Sequence, residues 1–191
     1  MNKLTLLTTL FWLTTLTSGC STVLTATSSG PIEENYATRT WGAYVDDKLI
    51  ETKATVNINK ANPGFETAHI VLNSYNGYVL LAGQVKSAQL KDLAGNIIKN
   101  IRKVRRVHNE LTVSGPTSQL SRTNDGWLTS KIKAQMIAEN EFPSSNVRVV
   151  TENGVVYLMG LVTHKQADIA VAIARRSYGV QKIVKIFEYL D

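Results

Sequence analysis

One phrase occurs twice in this chain, as NGYVLLAGQV at residues 76–85 and as NGVVYLMGLV at residues 153–162. Asn, Gly, Val, Leu, Gly and Val recur in order and at the same internal spacing. Almost no reactive side chain lies inside either copy, so what is repeated is a scaffold and not a catalytic motif. Asn-Gly tolerates the positive φ angles of a tight type I′ turn, and an alternating apolar run follows it, so the phrase reads as a hairpin turn leading into a core strand. Val79, Leu81, Gly83 and Val85 share one strand face, as do Val156, Leu158, Gly160 and Val162. The glycine at the third position is expected to leave room for a helix crossing the sheet.

The residues around the phrase follow one plan in both copies. Each copy opens on an aspartate, Asp47 or Asp125, that precedes a helical pattern and is expected to cap the helix N-terminus with its carboxylate. A loop with Pro63-Gly64 or Pro143-Ser144-Ser145 then leads into an alternating segment and the Asn-Gly turn. Beyond the repeated strand, Leu90, Leu93, Ala94, Ile97, Ile98 and Ile101 recur at helical spacing, and so do Ala167, Ile169, Ala170, Ile173 and Ala174. A closing strand carries Val107, Leu111 and Val113 in the first copy and Ile183 and Phe187 in the second. The order α-β-β-α-β predicts an α+β fold, with two helices packed on one face of a three-stranded mixed sheet in each of two tandem units. Each unit has roughly 70 residues, near the lower limit for an unassisted core.

The remaining sequence says where such a chain works. Met1-Asn2-Lys3 is a short basic start, and Leu4–Leu16 is apolar, of signal-peptide length and short for a bilayer-spanning helix. Leu16-Thr17-Ser18-Gly19-Cys20 follows, with the chain's one cysteine behind small residues. The run resembles a bacterial lipobox, with Thr17 where that motif usually has Leu. The resemblance implies a covalent lipid on Cys20 after removal of residues 1–19, and Ser21 in the next position matches the outer-membrane sorting pattern. The expected organisation is a signal peptide at 1–19, a lipidated cysteine with a flexible Thr-, Ser- and Ala-rich tether at 20–45, a first domain at 46–114, a linker at 115–122 and a second domain at 123–191.

Placed in this order, paired aspartate starts and paired NG-x-V-x-L-x-G-x-V strands behind a lipobox resemble the BON domain (bacterial OsmY and nodulation domain), from Asp47 to Val113 and from Asp125 to about Leu190. The whole chain is similar to dual-BON outer-membrane lipoproteins. That resemblance implies a protein anchored in the outer membrane, facing the periplasm, that binds anionic phospholipid and supports membrane integrity.

Little in the sequence points to catalysis. His69, His108 and His164 have no second ligand at metal spacing, no Gly-rich phosphate loop precedes a helix, and no Ser-His-Asp arrangement stands out, so neither an enzyme nor a metal or other cofactor is expected. A formal charge of +6 and a pI near 9.4 favour anionic partners. Export makes nucleic acid an improbable one, and no aromatics interleave the basic run Lys99, Arg102, Lys103, Arg105 and Arg106. That run is expected to end the second helix of the first copy, as dipole complement or as anion patch.

The helix opening the second copy is the most informative segment. On a wheel, Leu128, Ile132 and Met136 fall in one arc and should face the sheet. Trp127, Lys131, Ala134 and Ala138 form a neighbouring stripe, and Ile137 also points away from the core arc. Tryptophan and lysine suit a lipid headgroup interface. The expected phospholipid-binding residues are therefore Gly126, Trp127, Ser130, Lys131, Lys133, Ala134, Ile137 and Ala138, acting on anionic lipid of the phosphatidylglycerol class. A competing arrangement packs Trp127 under the linker or against the first domain. Leu49 occupies the matching place in the first copy, where Glu51, Thr52, Thr55 and Asn57 make a poorer helix. The second copy is thus expected to touch the membrane and the first to brace it or meet a partner. The alternative function is a protein–protein adaptor in envelope assembly using the same helix face, and a structural envelope protein without a specific ligand is a third.

Overall fold

A computed structural model describes residues 38–140 and 142–191. Cys20, the signal peptide and most of the expected tether lie outside the described residues. Helix α1 (Trp41–Ala61) is followed by strands β1 (His69–Tyr75) and β2 (Tyr78–Val85), helix α2 (Ala88–Lys99) and strand β3 (Arg106–Val113). The same order repeats as α3 (Gln119–Ala138), β4 (Val147–Glu152), β5 (Val155–Val162), α4 (His164–Arg176) and β6 (Lys182–Tyr189). In each copy the hairpin is antiparallel and the closing strand adds in parallel, giving mixed sheets of order β1-β2-β3 and β4-β5-β6. The parallel addition needs a crossover, and α2 and α4 supply it.

The two hairpin turns have the geometry their residues favour. Asn76 and Gly77 have φ of 50° and 76°, and Asn153 and Gly154 have 49° and 73°. The aspartates do something other than cap. Helix α1 starts earlier, with Thr40 as its cap, and α3 starts on Ser118, so Asp47 and Asp125 lie inside their helices. Each carboxylate is buried and holds the turn of its own hairpin. Asp125 accepts from the amides of Asn153 at 2.7 Å and Gly154 at 2.9 Å. Asp47 accepts from those of Asn76 at 2.7 Å and Gly77 at 2.9 Å, and also from the Ser74 hydroxyl and Arg39. Residues 41–45, expected in the tether, and 119–122, expected in the linker, are accordingly helical.

The glycines in the repeated strand are needed for a different neighbour than expected. A side chain at Gly83 would strike the carbonyl of His69 on the strand alongside, and one at Gly160 that of Asn146 in the short turn leading into β4, so neither clash is with a crossing helix. At Gly83 the φ of +114° adds a second reason. The basic run is also redistributed. Helix α2 ends at Lys99, Arg102–Arg105 form the turn beyond it, and Arg106 opens β3.

Each unit has its own core. Ile50, Ala54 and Ile58 of α1 and Leu90, Ala94 and Ile98 of α2 close over Val79, Leu81, Val85 and Leu111. Leu128, Ile132 and Met136 of α3 and Ala167, Ala170 and Ile173 of α4 close over Val156, Leu158, Val162 and Phe187. Val113, counted with the closing strand, is instead more than half exposed. The opposite sheet faces are buried as well. Tyr75, Leu80 and Ala82 pack with Val150, Tyr157, Met159, Leu161 and Ile186 in one cluster, so the sheets meet back to back between two outer helix layers. Burial pushes the Tyr157 hydroxyl up to about 12, with the nearby carboxylates of Glu110 and Glu152 adding to it.

Candidate functional site: the outer face of α3

Helix α3 has its core face fully occupied. Leu128, Ile132 and Met136 are buried, and beyond Asp125 the rest of the helix is exposed or half-buried. Trp127 is 59% exposed, so it packs neither under the linker nor against the first domain. The Lys131 ammonium lies 5.0 Å from the Trp127 ring centroid, a cation–π contact on open surface. Ala134 and Ala138 continue this stripe as exposed residues. Gly126, Ser130, Lys133 and Ile137 form the adjoining exposed row, with Ile137 at 72%. A side chain added at Gly126 would meet nothing, and the Ser130 hydroxyl donates to the Gly126 carbonyl at 2.9 Å. Of the eight residues expected to meet lipid, all therefore lie on this outward surface. They form no enclosed site; what they offer is an aromatic ring, apolar side chains and two ammonium groups without a carboxylate partner among the described residues.

Two large residues beside this surface escaped the sequence reading. Leu120, one of the residues assigned to the linker, is 71% exposed and stands two turns before Trp127 on the same side. Tyr178 is 89% exposed in the turn after α4. Trp127 and Tyr178 both line a cleft of about 340 Å³ beside the β4–β5 turn. A tyrosine sitting after Arg175-Arg176 and before a glycine, away from any apolar period, was the available signal.

The first copy differs at the same place. Trp41, Val45, Leu49 and Val56 are exposed and share one side of α1. The helix carries Lys48, Lys53 and Lys60 against Asp46, Asp47 and Glu51, three of each sign, whereas α3 carries Arg122, Lys131 and Lys133 against Asp125 alone. The basic run after α2 is largely engaged. Arg105 makes a two-pronged ion pair with Glu188 at 2.7 Å, and Lys103 reaches Asp46 at 2.6 Å. The Arg105 hydrogen bonds hold the Glu188 carboxyl below its ordinary range.

The histidines are dispersed. His69 Nε2 lies 3.2 Å from Glu152, which also accepts from Gln84 across the domain boundary. His164 stacks on Tyr189 at 4.0 Å and pairs with Asp191. Burial lowers the pKa of His108, with Arg106 adding to the effect. Among the described residues no three His, Cys, Asp or Glu side chains gather as a metal site, and no helix is long and apolar enough to cross a membrane.

A duplicated α-β-β-α-β unit with a mixed sheet defines the class, and both copies match the BON domain model, over residues 46–115 and 124–191. The chain belongs to the BON-domain family. It is similar to outer membrane lipoprotein DolP of Haemophilus influenzae, 38% identical over 91% of this chain and 90% of that protein. It is also similar to a 21 kDa hemolysin of Actinobacillus pleuropneumoniae, 34% identical over 80% and 79% of the two chains. Osmotically-inducible protein Y of Escherichia coli is 30% identical over 74% and 72%.

Proposed function

We propose that this chain is an outer-membrane lipoprotein, held by an acylated Cys20 and facing the periplasm, whose second BON domain binds anionic phospholipid through the outer face of α3 and so supports membrane integrity without catalysis. The likeness to DolP over nearly the whole chain supports the location. The observation that carries the binding role is Trp127, exposed beside Lys131 on a helix whose core face is already filled. An indole at a headgroup interface is amphipathic, and each lysine near an anionic surface contributes about 1 kcal/mol. Such contacts are weak singly, and an acyl anchor raises the local concentration enough for them to act.

Vesicle co-sedimentation with thermal melts tests this reading. Trp127→Glu is expected to reduce binding to phosphatidylglycerol vesicles severely with an unchanged melting temperature. Lys131→Glu is expected to reduce it less and to flatten its salt dependence. Wild-type binding by a folded Trp127→Glu protein removes α3 as the site. Cys20→Ala is expected to move the protein from the membrane to the soluble envelope fraction, and retention in the outer membrane with no acyl group on the wild type removes the anchor.

An adaptor role is the second reading. The apolar stripe Trp41, Val45, Leu49 and Val56 favours it, since α1 has no excess charge to draw it to an anionic surface.

A further inference from the structure

A groove of about 370 Å³ lies at the junction of the two domains, with β1 of the first on one side and β4 and α3 of the second on the other. It is separate from the outer face of α3, since none of Trp127, Lys131 and Tyr178 lines it. Arg122 does line it. The Arg122 Nε is buried without a hydrogen-bond partner, and the side chain makes no ion pair among the described residues. Folded proteins rarely leave such a donor unserved. Two carboxylates line the same groove, and both are engaged elsewhere. Asp125 holds the two turn amides, one with each oxygen. Glu152 accepts from Gln84 at 2.8 Å through one oxygen and meets His69 at 3.2 Å through the other.

The duplication shows what this place lacks. Three residues before Asp47 stands Tyr44, and three before Asp125 stands Arg122; four residues after them stand Glu51 and Thr129. In the first copy the cations here meet carboxylates of the chain itself. Arg39 lies 4.8 Å from the centre of the Tyr44 ring and pairs with Asp47 at 3.1 Å. Glu51 accepts from the Ser74 amide at 3.0 Å and from Arg148 at 3.2 Å. In the second copy Thr129 donates instead to the Thr151 hydroxyl at 2.8 Å. The second copy thus has a cation, Arg122, and a threonine where the first has its carboxylate.

We infer that this groove binds the free C-terminus of a peptide, with Arg122 taking the terminal carboxylate. The inference is independent of the lipid reading of α3. The planar fork of a guanidinium matches a carboxylate in geometry and charge. Val71, Val149 and Val150 give the groove an apolar wall for the last side chain. Asn73 accepts from Arg148 through its carbonyl oxygen at 2.9 Å, which leaves its amide nitrogen to donate to a peptide carbonyl. A doubly charged phosphate is disfavoured, because Asp125 and Glu152 stand in the lining and repel the second charge. A peptide seated here touches both domains at once, so its binding is read from either.

The test compares two peptides that differ at one group. N-acetyl-Ala-Val, with a free carboxylate, and its C-terminal amide are titrated by NMR into the full chain carrying Cys20→Ala. The acid is expected to bind at least about tenfold more tightly than the amide, as the loss of a charge-assisted pair implies. It is expected to shift backbone amides of β1 and β4 together. Arg122→Gln is expected to bring acid and amide to equal affinity. Thr129→Glu supplies a carboxylate from within the chain, as Glu51 does in the first copy, and is expected to abolish binding of the acid without lowering the melting temperature. Equal binding of acid and amide by the wild type overturns the assignment. A preference kept by folded Arg122→Gln, or undiminished binding by Thr129→Glu, overturns it too. Tighter binding of inorganic phosphate than of the acid overturns the choice of a carboxylate, and binding of none of these probes overturns the site.

Discussion

Asp125 shows how one side chain serves a different purpose from the one its local pattern implies. An aspartate ahead of an apolar-periodic run is a good cap signal, and the cap reading of Asp47 and Asp125 rests on that local pattern. Their true partners, the amides of Asn76-Gly77 and Asn153-Gly154, come far later in sequence, and only the helix–hairpin packing brings them together. The real caps, Thr40 and Ser118, stood in stretches rich in Thr, Ser and Pro that read equally well as tether and linker. Replacing Asp125 by Ala leaves two turn amides without their acceptor, at about 1–3 kcal/mol for each buried group. Asp125→Ala is therefore expected to lower stability by about 2–4 kcal/mol in urea melts, with Asp125→Asn milder because one acceptor oxygen remains. A loss below half a kilocalorie would mean that water serves the turn as well as the carboxylate does. The substitution probes the cleft too, since Asp125 and Asn153 both line it.

At the scale of elements, helix periodicity was the most legible feature. The arc Leu128, Ile132 and Met136 is buried as the wheel requires, and Trp127 and Ile137 face out. In the first copy the same period puts Ile50 and Ala54 on the core face, where they are buried together with Ile58, and what a helix start at Asp47 conceals is the outer stripe that begins at Trp41 and Val45 and continues through Leu49 and Val56. Reading Glu51, Thr52, Thr55 and Asn57 as poor helix formers underrated it, because tertiary packing on the first sheet outweighs differences of a few tenths of a kilocalorie in propensity. Thr52 and Thr55 also bond back to the carbonyls of Lys48 and Glu51, which keeps their hydroxyls satisfied within the helix. The two helices thus differ in charge more than in shape. Leu49→Glu, on a helix with balanced charge, is expected to leave binding to anionic vesicles within about twofold of wild type, since an exposed residue that makes no lipid contact contributes little. Vesicle co-sedimentation of Leu49→Glu beside Trp127→Glu makes the comparison, and an equal loss in both would make α1 a second membrane face.

The arrangement of the whole molecule was also written in the repeated phrase, on the side of it that the one-face reading ignored. YVLLAGQV and VVYLMGLV are apolar at nearly every position, and a strand of that kind is buried on both faces. Leu80 and Ala82 meet Tyr157, Met159 and Leu161 between the sheets, so each unit completes the other's burial and neither is a two-layer sandwich with a wet back. Polar ties ring this contact. Glu152, buried, accepts from Gln84 at 2.8 Å, Arg148 reaches Glu51 and Asn73, and Glu188 joins Arg105 and Asn76. Such long-range pairings have no local signature, and for that reason the basic run could be read only as a helix end or an anion patch. Their consequence is a dependence on acid that can be measured. Arg105 and Asn76 hydrogen bonds hold the Glu188 carboxyl below its ordinary 4.5, so the folded state releases this proton more readily than the unfolded chain. The contribution to stability is present above pH 4.5 and is lost as pH falls through the lower folded value. Wild type should therefore lose melting temperature on acidification below that point more steeply than Glu188→Gln, which has no proton to gain there. Partial exposure of both partners keeps the difference modest, because solvent screens the pair. Melting curves from pH 6 to pH 3 are the measurement, and parallel profiles for the two proteins would show that Glu188 does not couple the domains to pH.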